Sequence, residues 1–505
     1  MRKFTLRMRV LLIVVAVLFT MAAGRAVQIQ AVDADATAAQ AAKQLTRDVD
    51  IPPLRGTITD RSGETLAYSE PTVLVYADPT MIRTNGRGAE KMTDNDVKVA
   101  AEAPAKLAKL LVQFLGGKAE DYLPKLTKEG SYYQVLAREV SAENATLLLK
   151  AMRAAELVGL STEDAPTRRY PGGTLASNVL GYVRYEGNGT STGASGLELA
   201  LDADLVGTPG KEVYEQSPKG RLPSDDNQLV PAVNGADYQL TLDAGLQLSV
   251  EQILADRVNA SRANYGTATV MDMNTGEILA LANYPTFDAN DPSASKKSTL
   301  GNRAVSDPFT PGSVQKVLTF AALLDAGLVS PTEVVTIPPQ INSGGYMISD
   351  DWVHGTVDVL ARGVLAKSSN VGMIKLSRRM GKEALLDYYL SFGLGAKTGV
   401  GLPGESAGIL PKRPISDQTR DGLAFGGSAL SVTALQEAAA VAAVTNGGVY
   451  HQPYIVASKT LPDGTVEDLA PQNSRRVISQ KASAQVASMM EAMMVNSTGE
   501  VFDVE

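Results

Sequence analysis

Cysteine is absent from the 505 residues, and this absence excludes several kinds of site at once. Without a thiol the chain forms no disulfide, carries no thiolate nucleophile and lacks the commonest ligands of structural zinc. The composition is compatible with an exported protein that does not depend on disulfides, although it defines no compartment.

Histidine is almost as scarce, with His354 and His451 as the two examples. His354 stands in DDWVHGTVDV and His451 in NGGVYHQPY, and neither stretch resembles the frame of a catalytic histidine. A Ser-His-Asp mechanism needs such a histidine beside the nucleophile, so we expect structural roles for both. An enzyme with this sequence would take its general base from another residue type.

The chain also lacks the excess of positive charge that nucleic-acid binding requires. Its formal net charge is −8, so we expect no nucleic acid among its partners. Hydrophobic residues make up 44% and charged residues 20%, which is typical of globular protein. The length exceeds that of one ordinary domain, and we expect about two or three.

One long hydrophobic run lies at the N-terminus. Basic residues are frequent in residues 1–9, and apolar residues follow over 10–32 with one interruption at Arg25. A membrane span needs about 20 residues, and an arginine near its end can reach the interface. By the positive-inside rule, residues 1–9 are a cytoplasmic tail, 10–32 a single transmembrane anchor, and the remainder is extracytoplasmic. A cleaved signal peptide is the alternative, because residues 22–24 are small.

We divide the rest of the chain at residue 236. Residues 33–236 mix hairpin and helix patterns, which predicts an α+β domain. A hairpin is expected around Ser62-Gly63, a loop over 87–98, and a helix that Ser141 caps.

Residues 237–505 form a second, α/β domain in this prediction. A strand leads into a helix after residue 237, and two β-rich runs flank Asn274-Thr275-Gly276, which is a strong hairpin signal. Helical patterns dominate over residues 313–444.

Two stretches match the pattern Ser-x-x-Lys, which can pair a serine nucleophile with a lysine base. Ser293 and Lys296 lie in polar DPSASKKS, which predicts a loop, and we dismiss this match. Ser313 and Lys316 follow Pro311-Gly312 and open an apolar helix, so they share one face. Burial would lower the pKa of Lys316 so that it accepts the serine proton, and the helix dipole and the Ser313 N–H would favour the developing charges. A helix cap followed by a surface lysine is the alternative.

The tripeptide Ser368-Ser369-Asn370 stands at a predicted junction between helices. A Ser-x-Asn can bridge a catalytic lysine, pass protons to a leaving group and hold a substrate amide. Alone it would indicate a polar cap between helices. Together with Ser313 and Lys316 it predicts an active site.

These motifs together resemble those of the class B penicillin-binding proteins, the single-pass D,D-transpeptidases of peptidoglycan synthesis. RGTITDRSGETLA, RRYPGGTLASNVLGYV and GASGLELALDADLVGTPG are similar to three motifs of their pedestal domain. FTPGSVQK is similar to their nucleophile motif, with Thr310 where the family usually has glutamate, and KSSNVGMIKL is similar to their S-x-N motif. The stretches TDRSGETLAYS and YPTFDANDP favour the septal, FtsI-type branch.

The resemblance implies a multidomain fold: a transmembrane helix, an α+β pedestal and a penicillin-binding α/β domain. The last would contain a five-stranded antiparallel sheet flanked by helices and an all-helical subdomain. Ser313 would be the acylated nucleophile, Lys316 its proton acceptor, and Ser368 and Asn370 the second-motif pair. No cofactor or metal is implied.

The resemblance also implies partners. The substrate would be the D-Ala-D-Ala end of a peptidoglycan stem peptide, and β-lactams would form a long-lived ester with Ser313. A membrane-embedded glycosyltransferase and other division proteins would work alongside, because class B proteins lack a glycosyltransferase domain of their own. The alternatives are a non-catalytic penicillin-binding sensor or structural protein, and a D,D-carboxypeptidase or β-lactamase.

Lys397-Thr398-Gly399 spells the third motif of these enzymes but does not fit its place. In the family that motif lies on an edge strand after the last long helix, whereas here glycine and proline flank it and a helix pattern follows. FGLGAKTGVGLPGE is similar instead to a structural loop of the family. The catalytic tripeptide is then expected beyond Glu505, which would leave this chain truncated in its second domain and inactive or nearly so.

Overall fold

The computed structural model describes residues 2–28, 46–87, 92–185, 191–217, 220–221, 228–427 and 429–495. The α-helices of this part of the chain are α1 (Arg2–Val27), α2 (Pro79–Thr84), α3 (Asp94–Leu115), α4 (Ala119–Leu126), α5 (Ala142–Ala154), α6 (Ser177–Leu180), α7 (Gly196–Ala200), α8 (Asp202–Leu205), α9 (Ala244–Ser261), α10 (Arg303–Ser306), α11 (Gln315–Asp325), α12 (Ala361–Ala366), α13 (Asn370–Ser377), α14 (Lys382–Ser391), α15 (Asp417–Ala424), α16 (Ala434–Thr445) and α17 (Gln480–Val495). Three-residue 3-10 turns lie at Pro292–Ala294, Lys297–Thr299 and Gly312–Val314.

The strands of the same residues are β1 (Thr46–Ile51), β2 (Ile58–Thr59), β3 (Thr65–Glu70), β4 (Thr72–Ala77), β5 (Gln134–Ser141), β6 (Leu160–Asp164), β7 (Thr167–Arg169), β8 (Val183–Tyr185), β9 (Ser191–Gly193), β10 (Gly210–Ser217), β11 (Gly220–Arg221), β12 (Gln228–Val230), β13 (Asp237–Leu240), β14 (Gly266–Met271), β15 (Ile278–Tyr284), β16 (Val334–Ile337), β17 (Gln340–Ser343), β18 (Tyr346–Ser349), β19 (Val357–Leu360), β20 (Val449–His451), β21 (Val456–Thr460), β22 (Val466–Asp468) and β23 (Ser474–Arg476). They belong to two compact units, Met1–Pro53 with Thr208–Val233, and Leu54–Gly207 with Asn234–Glu505.

The first unit contains α1 and a small sheet. Residues Met8–Val27 of α1 have a mean hydropathy of 2.4 and are long and apolar enough to cross a membrane. In the sheet, β10 pairs antiparallel with β1, β11 and β12. The predicted anchor ran to Val32, and its last residues, 29–32, lie outside the described residues.

The second unit begins with a lobe of three strands and three helices. The sheet has the order β5-β4-β6, and α3, α4 and α5 pack around a core that includes Val75, Leu107 and Leu148. The prediction of a loop over 87–98 is wrong in its second half, because α3 begins at Asp94. Thr93 and Asp96 form a capping box there, with the Thr93 N–H 2.9 Å from Asp96 Oδ2.

A six-stranded sheet of order β22-β21-β13-β2-β3-β7 joins residues from both sides of position 236. Strand β13 pairs parallel with β2 and antiparallel with β21. One core lies with it and contains Ile58 and Val179 together with Leu240, Leu281 and Leu435. The boundary at residue 236 therefore stays a prediction, since the flanking segments share a sheet and a core.

Beside this sheet, one buried carboxylate lies between two guanidinium groups. Glu198 accepts from Arg55 Nε at 2.5 Å and from Arg168 Nε at 2.7 Å, and all three side chains are at most 3% exposed. Asp202 and Tyr170 complete the network. Arg55, Arg168 and Glu198 each belong to a different one of the three pedestal motifs. The ion pairs therefore hold the three motifs together.

Strands β14 and β15 form the predicted hairpin around residues 274–276, and α9 packs against it. In the described residues this sheet has two strands, so the five-stranded sheet stays a prediction. The largest core surrounds α11, which is buried from residue 315 to residue 324, and it includes Phe320, Val371 and Tyr389.

The predicted all-helical subdomain is not entirely helical. Between α11 and α12 the chain forms two small antiparallel pairs, β16 with β19 and β17 with β18. The β17–β18 pair turns through Gly344 and Gly345, both at positive φ, which glycine adopts without steric cost. Strands of four residues carry too short an alternation to stand out among longer helix patterns.

Candidate active site

Ser313 lies in the 3-10 turn Gly312–Val314, which leads directly into α11. Gly312 has φ +60, and Gly426, at φ +80, packs so closely on the turn that a Cβ there would lie 1.8 Å from the Gly312 carbonyl oxygen. Only glycine fits at position 426 without a shift of the backbone. The turn leaves Ser313 exposed at the surface, where a substrate can reach its hydroxyl.

Lys316, one turn further on, is 1% exposed, and three oxygen atoms lie within hydrogen-bond distance of its Nζ. Its Nζ donates to Ser313 Oγ at 3.0 Å, to Ser368 Oγ at 2.9 Å and to the Ser368 carbonyl at 2.6 Å. Ser368 Oγ donates in turn to Ser313 Oγ at 2.8 Å. The two hydroxyls and the amine therefore form a closed triangle.

The surroundings of Lys316 favour its neutral form. Burial lowers its pKa to about 8, because a desolvated ammonium group is costly. The charges of Asp350 and Asp351 act in the opposite sense and limit the shift. With this pKa about a tenth of the amine is uncharged at pH 7, far more than for an ordinary lysine, and this fraction can accept a proton from Ser313.

The S-x-N tripeptide occupies the junction between α12 and α13. Ser368 has φ +53, a left-handed conformation that costs a non-glycine residue about 1–2 kcal/mol. Ser369 caps α13, accepting from the Gly372 N–H at 2.8 Å. Asn370 opens α13, and its Nδ2 lies 3.4 Å from the Ser349 carbonyl at the end of β18.

Asp350 holds this tripeptide from behind. It accepts from Ser369 Oγ at 2.5 Å and from the Val371 N–H at 2.8 Å, and its side chain is fully buried. Sequence reasoning missed this residue, because nothing in SDDWVH distinguishes Asp350 from Asp351. The structure thus brings together all four residues chosen from the sequence, Ser313, Lys316, Ser368 and Asn370, at one place in the fold.

Comparison with known proteins relates this arrangement to a family. Residues 266–503 match the model of the penicillin binding protein transpeptidase domain, and residues 50–240 that of the penicillin-binding protein dimerisation domain. Penicillin-binding protein PbpB of Mycobacterium tuberculosis is 37% identical, over 95% of this chain and 70% of the relative. The chain belongs to the class B penicillin-binding proteins.

Other members of this family show the same relationship. Peptidoglycan D,D-transpeptidase FtsI of Escherichia coli is 31% identical to this penicillin-binding protein, over 95% of the chain and 75% of the relative. Among solved structures, penicillin-binding protein 3 of M. tuberculosis complexed with aztreonam has a TM-score of 0.63 at 31% identity. That comparison covers 88% of this chain and 75% of the solved one.

The tripeptide Lys397-Thr398-Gly399 of this penicillin-binding protein lies in a loop, as the sequence predicted. Glu405 closes the loop by accepting from the Thr398 N–H at 2.6 Å, from Thr398 Oγ1 at 2.5 Å and from the Gly399 N–H at 3.3 Å. Among the hydrogen bonds of the described residues, none links this tripeptide to Ser313 or Lys316. Glu405 explains the loop without any catalytic role.

Proposed function

We propose that this penicillin-binding protein is a serine acyltransferase that cross-links peptidoglycan stem peptides, with Ser313 as its nucleophile. The observation that carries the proposal is the triangle of Ser313 Oγ, Ser368 Oγ and Lys316 Nζ. An exposed serine hydroxyl in contact with a buried amine of lowered pKa is a nucleophile paired with its base.

The first half of the reaction follows from these contacts. Neutral Lys316 accepts the Ser313 proton as Oγ attacks the carbonyl carbon of the penultimate D-alanine, giving a tetrahedral intermediate. The C–N bond then breaks, and the departing D-alanine amine takes the proton that Lys316 received, with Ser368 as the bridge between them. The product is an ester of Ser313 and free D-alanine.

In the second half, the acyl group passes from Ser313 to an amine. An amine of a neighbouring stem peptide gives a proton to Lys316 and attacks the ester carbonyl. The C–O bond to Ser313 breaks, and Ser313 recovers its proton. Asn370 would hold the amide of the donor peptide, and the contact of its Nδ2 with the Ser349 carbonyl at the end of β18 supports this role.

The substrate class rests on the relatives. FtsI of E. coli is named a peptidoglycan D,D-transpeptidase, and penicillin-binding protein 3 of M. tuberculosis has been solved with aztreonam and with ampicillin. We therefore propose D-Ala-D-Ala stems as donors and β-lactams as covalent inhibitors. The FtsI relatives support a septal role.

The anchor and the partners are part of the same proposal. Helix α1 would act as a single-pass, uncleaved membrane anchor with residues 1–9 in the cytoplasm, as the basic residues of that segment favour. Residues 33–236 would act as the pedestal and residues 237–505 as the transpeptidase domain. A membrane-embedded glycosyltransferase and other division proteins would supply and position the glycan strands.

Labelling with a fluorescent penicillin tests the nucleophile. In the complete protein, with the third motif present, we expect the ester on Ser313 to be identified by peptide mass spectrometry and to be absent from the Ser313→Ala variant, with Ser293→Ala as the matched control from the other Ser-x-x-Lys stretch. Labelling that persists in Ser313→Ala would contradict the assignment. The expectation of a third motif beyond Glu505 is tested by the same assay, because full labelling of the 505-residue chain would contradict it.

Incubation with donor and acceptor stem peptides tests the reaction. Cross-linked dimer is the expected product. Free D-alanine with hydrolysed stem would indicate a carboxypeptidase, and rapid turnover of penicillin a β-lactamase. Stable acylation of the complete protein without any dimer would favour a non-catalytic sensor.

A further inference from the structure

His354 lies behind the S-x-N tripeptide and contacts Asp350. Its Nε2 is 3.2 Å from Asp350 Oδ2, and its Nδ1 is 2.6 Å from the Gly355 carbonyl oxygen. The histidine side chain is 4% exposed, and its ring lies on that of Trp352 with the centroids 4.0 Å apart. Sequence reasoning gave His354 a structural role and did not connect it with the catalytic residues.

Both ring nitrogens of His354 therefore face acceptors. A backbone carbonyl cannot donate, so Nδ1 must carry a proton to make its contact. Asp350 Oδ2 already accepts from Ser369 Oγ, and a carboxylate accepts from Nε2 only if that nitrogen also carries a proton. The contacts are thus all satisfied when the ring is an imidazolium paired with an ionised Asp350.

We propose that His354, as an imidazolium, is a positioning residue that compensates the charge of Asp350 and thereby keeps Lys316 ready to act as a base. The inference rests on the proposed function of Lys316. It connects three groups in series: His354 pairs with Asp350, Asp350 fixes Ser369 and the Val371 N–H, and this segment presents Ser368 to Lys316.

The charges around Lys316 give the inference its direction. Asp350 and Asp351 both favour the ammonium form of Lys316 and raise its pKa against the effect of burial. His354 affects the pKa of Lys316 through its contact with Asp350. A second cationic residue, Lys367, directly precedes Ser368 in the chain. Without the imidazolium, the Asp350 charge acts on Lys316 uncompensated, and less of the amine is neutral at a given pH.

The pH profile of penicillin acylation tests this effect. We expect the midpoint of the rate to move upward by about half a unit or more in His354→Gln, to return in His354→Arg, which restores a cation, and to move downward in Asp350→Asn. The double variant should resemble Asp350→Asn, because His354 acts through that carboxylate. His451→Gln is the matched control and should leave the profile unchanged.

A purely structural role would give a different result. His354→Gln would then lower the melting temperature and the maximal rate while the midpoint stayed in place, and His354→Arg would restore nothing. Either outcome overturns the proposal.

A second measurement does not depend on acylation. The chain has two histidines, so selective 15N labelling gives two sets of ring signals, which His451→Gln assigns. The proposed ion pair predicts protons on both ring nitrogens of His354, and Asp350→Asn should remove one of them. A singly protonated His354 in the unmodified chain would overturn the ion pair. If the ion pair is found but no penicillin ester forms on the complete protein, the proposed function fails and the pairing stands.

Discussion

At the scale of single residues, Lys316 combines reactivity with a cost in stability. A buried ammonium is desolvated, and this is why its pKa lies at about 8 and below the ordinary 10.5. The unfolded chain binds the proton more tightly, so this group destabilises the fold below pH 8. This destabilisation decreases as pH rises from 8 towards 10.5, where Lys316 becomes neutral in both the folded and the unfolded state.

Replacing Lys316 by methionine should therefore abolish acylation and stabilise the protein at pH 7. Methionine has a similar length and carries no charge, and we expect a gain of about 1–3 kcal/mol in the free energy of unfolding. Urea unfolding at pH 7 and at pH 10 measures it. The gain should shrink at the higher pH, and a gain equal at both values would show that packing and not charge is responsible.

Ser368 likewise combines a functional hydroxyl with a cost in stability, because its side chain is strained in a left-handed backbone conformation. Glycine and alanine both remove the hydroxyl, but glycine also relieves the strain at φ +53. We expect both variants to acylate more slowly, with Ser368→Gly more stable than Ser368→Ala by about 1 kcal/mol. Thermal melts of the two proteins compare them, and equal stabilities would argue against strain at this position.

The sequence was informative about the residues that we propose carry the chemistry. Ser313, Lys316, Ser368 and Asn370 belong to short motifs whose spacing follows from helix geometry. Asp350 could not be predicted, because its role depends on a hairpin that brings β18 against α13. A contact between segments distant in the chain produces no recognisable sequence pattern in either segment.

At the scale of elements, the turn that carries Ser313 depends on the segment that carries Gly426. The Gly312 carbonyl would meet a Cβ at position 426, and the positive φ of Gly426 adds to the conflict. Gly426→Ala should lower the free energy of unfolding by about 3 kcal/mol or more and displace Ser313 from Lys316. Chemical unfolding and acylation rate are the measurements.

Gly327→Ala is the matched control, since Gly327 also has a positive φ but no atom within 4 Å of the added Cβ. It should cost about 1 kcal/mol and leave acylation unchanged. Equal losses in the two variants would show that φ alone, and not contact with the turn, accounts for Gly426.

Long elements were predicted better than short ones. The hairpin of β14 and β15 and the helix capped by Ser141 were both expected, because a turn or cap residue coincides with a clear apolar period. Helix α3 starts inside a stretch assigned to loop, since Thr93 and Asp96 are polar residues whose mutual capping depends on backbone geometry. Strands of four residues, such as β16–β19, were missed for lack of length.

At the scale of the second unit, the buried Glu198 is the point on which the pedestal motifs converge. Glu198→Gln removes the charge that two buried guanidinium groups share, and we expect a loss of about 3–5 kcal/mol. Thermal unfolding measures the loss. Glu70→Gln is the control, since Glu70 pairs with Arg169 at the surface, and it should cost less than about 1 kcal/mol.

A cost for Glu198→Gln as small as that of the control would mean that the guanidinium groups find other partners or water. The prediction belongs to the whole unit because Arg55, Arg168 and Glu198 lie far apart in the chain and meet only when it is folded. The predicted boundary at residue 236 is likewise crossed by contacts that form only in the folded chain. Composition changes there, but packing continues across it.

The strands β2, β13 and β21 of one sheet are synthesised at widely different times. Tyr238 pairs with Ile58, which precedes it, and with Lys459, which is made much later. A ribosome adds about 5–20 residues per second, so Tyr238 waits roughly 10–45 s for its second partner. An open strand edge is a template for pairing with other chains. The edge of β13 that β21 covers in the folded protein is therefore open to other chains in that interval, between the synthesis of β13 and that of β21.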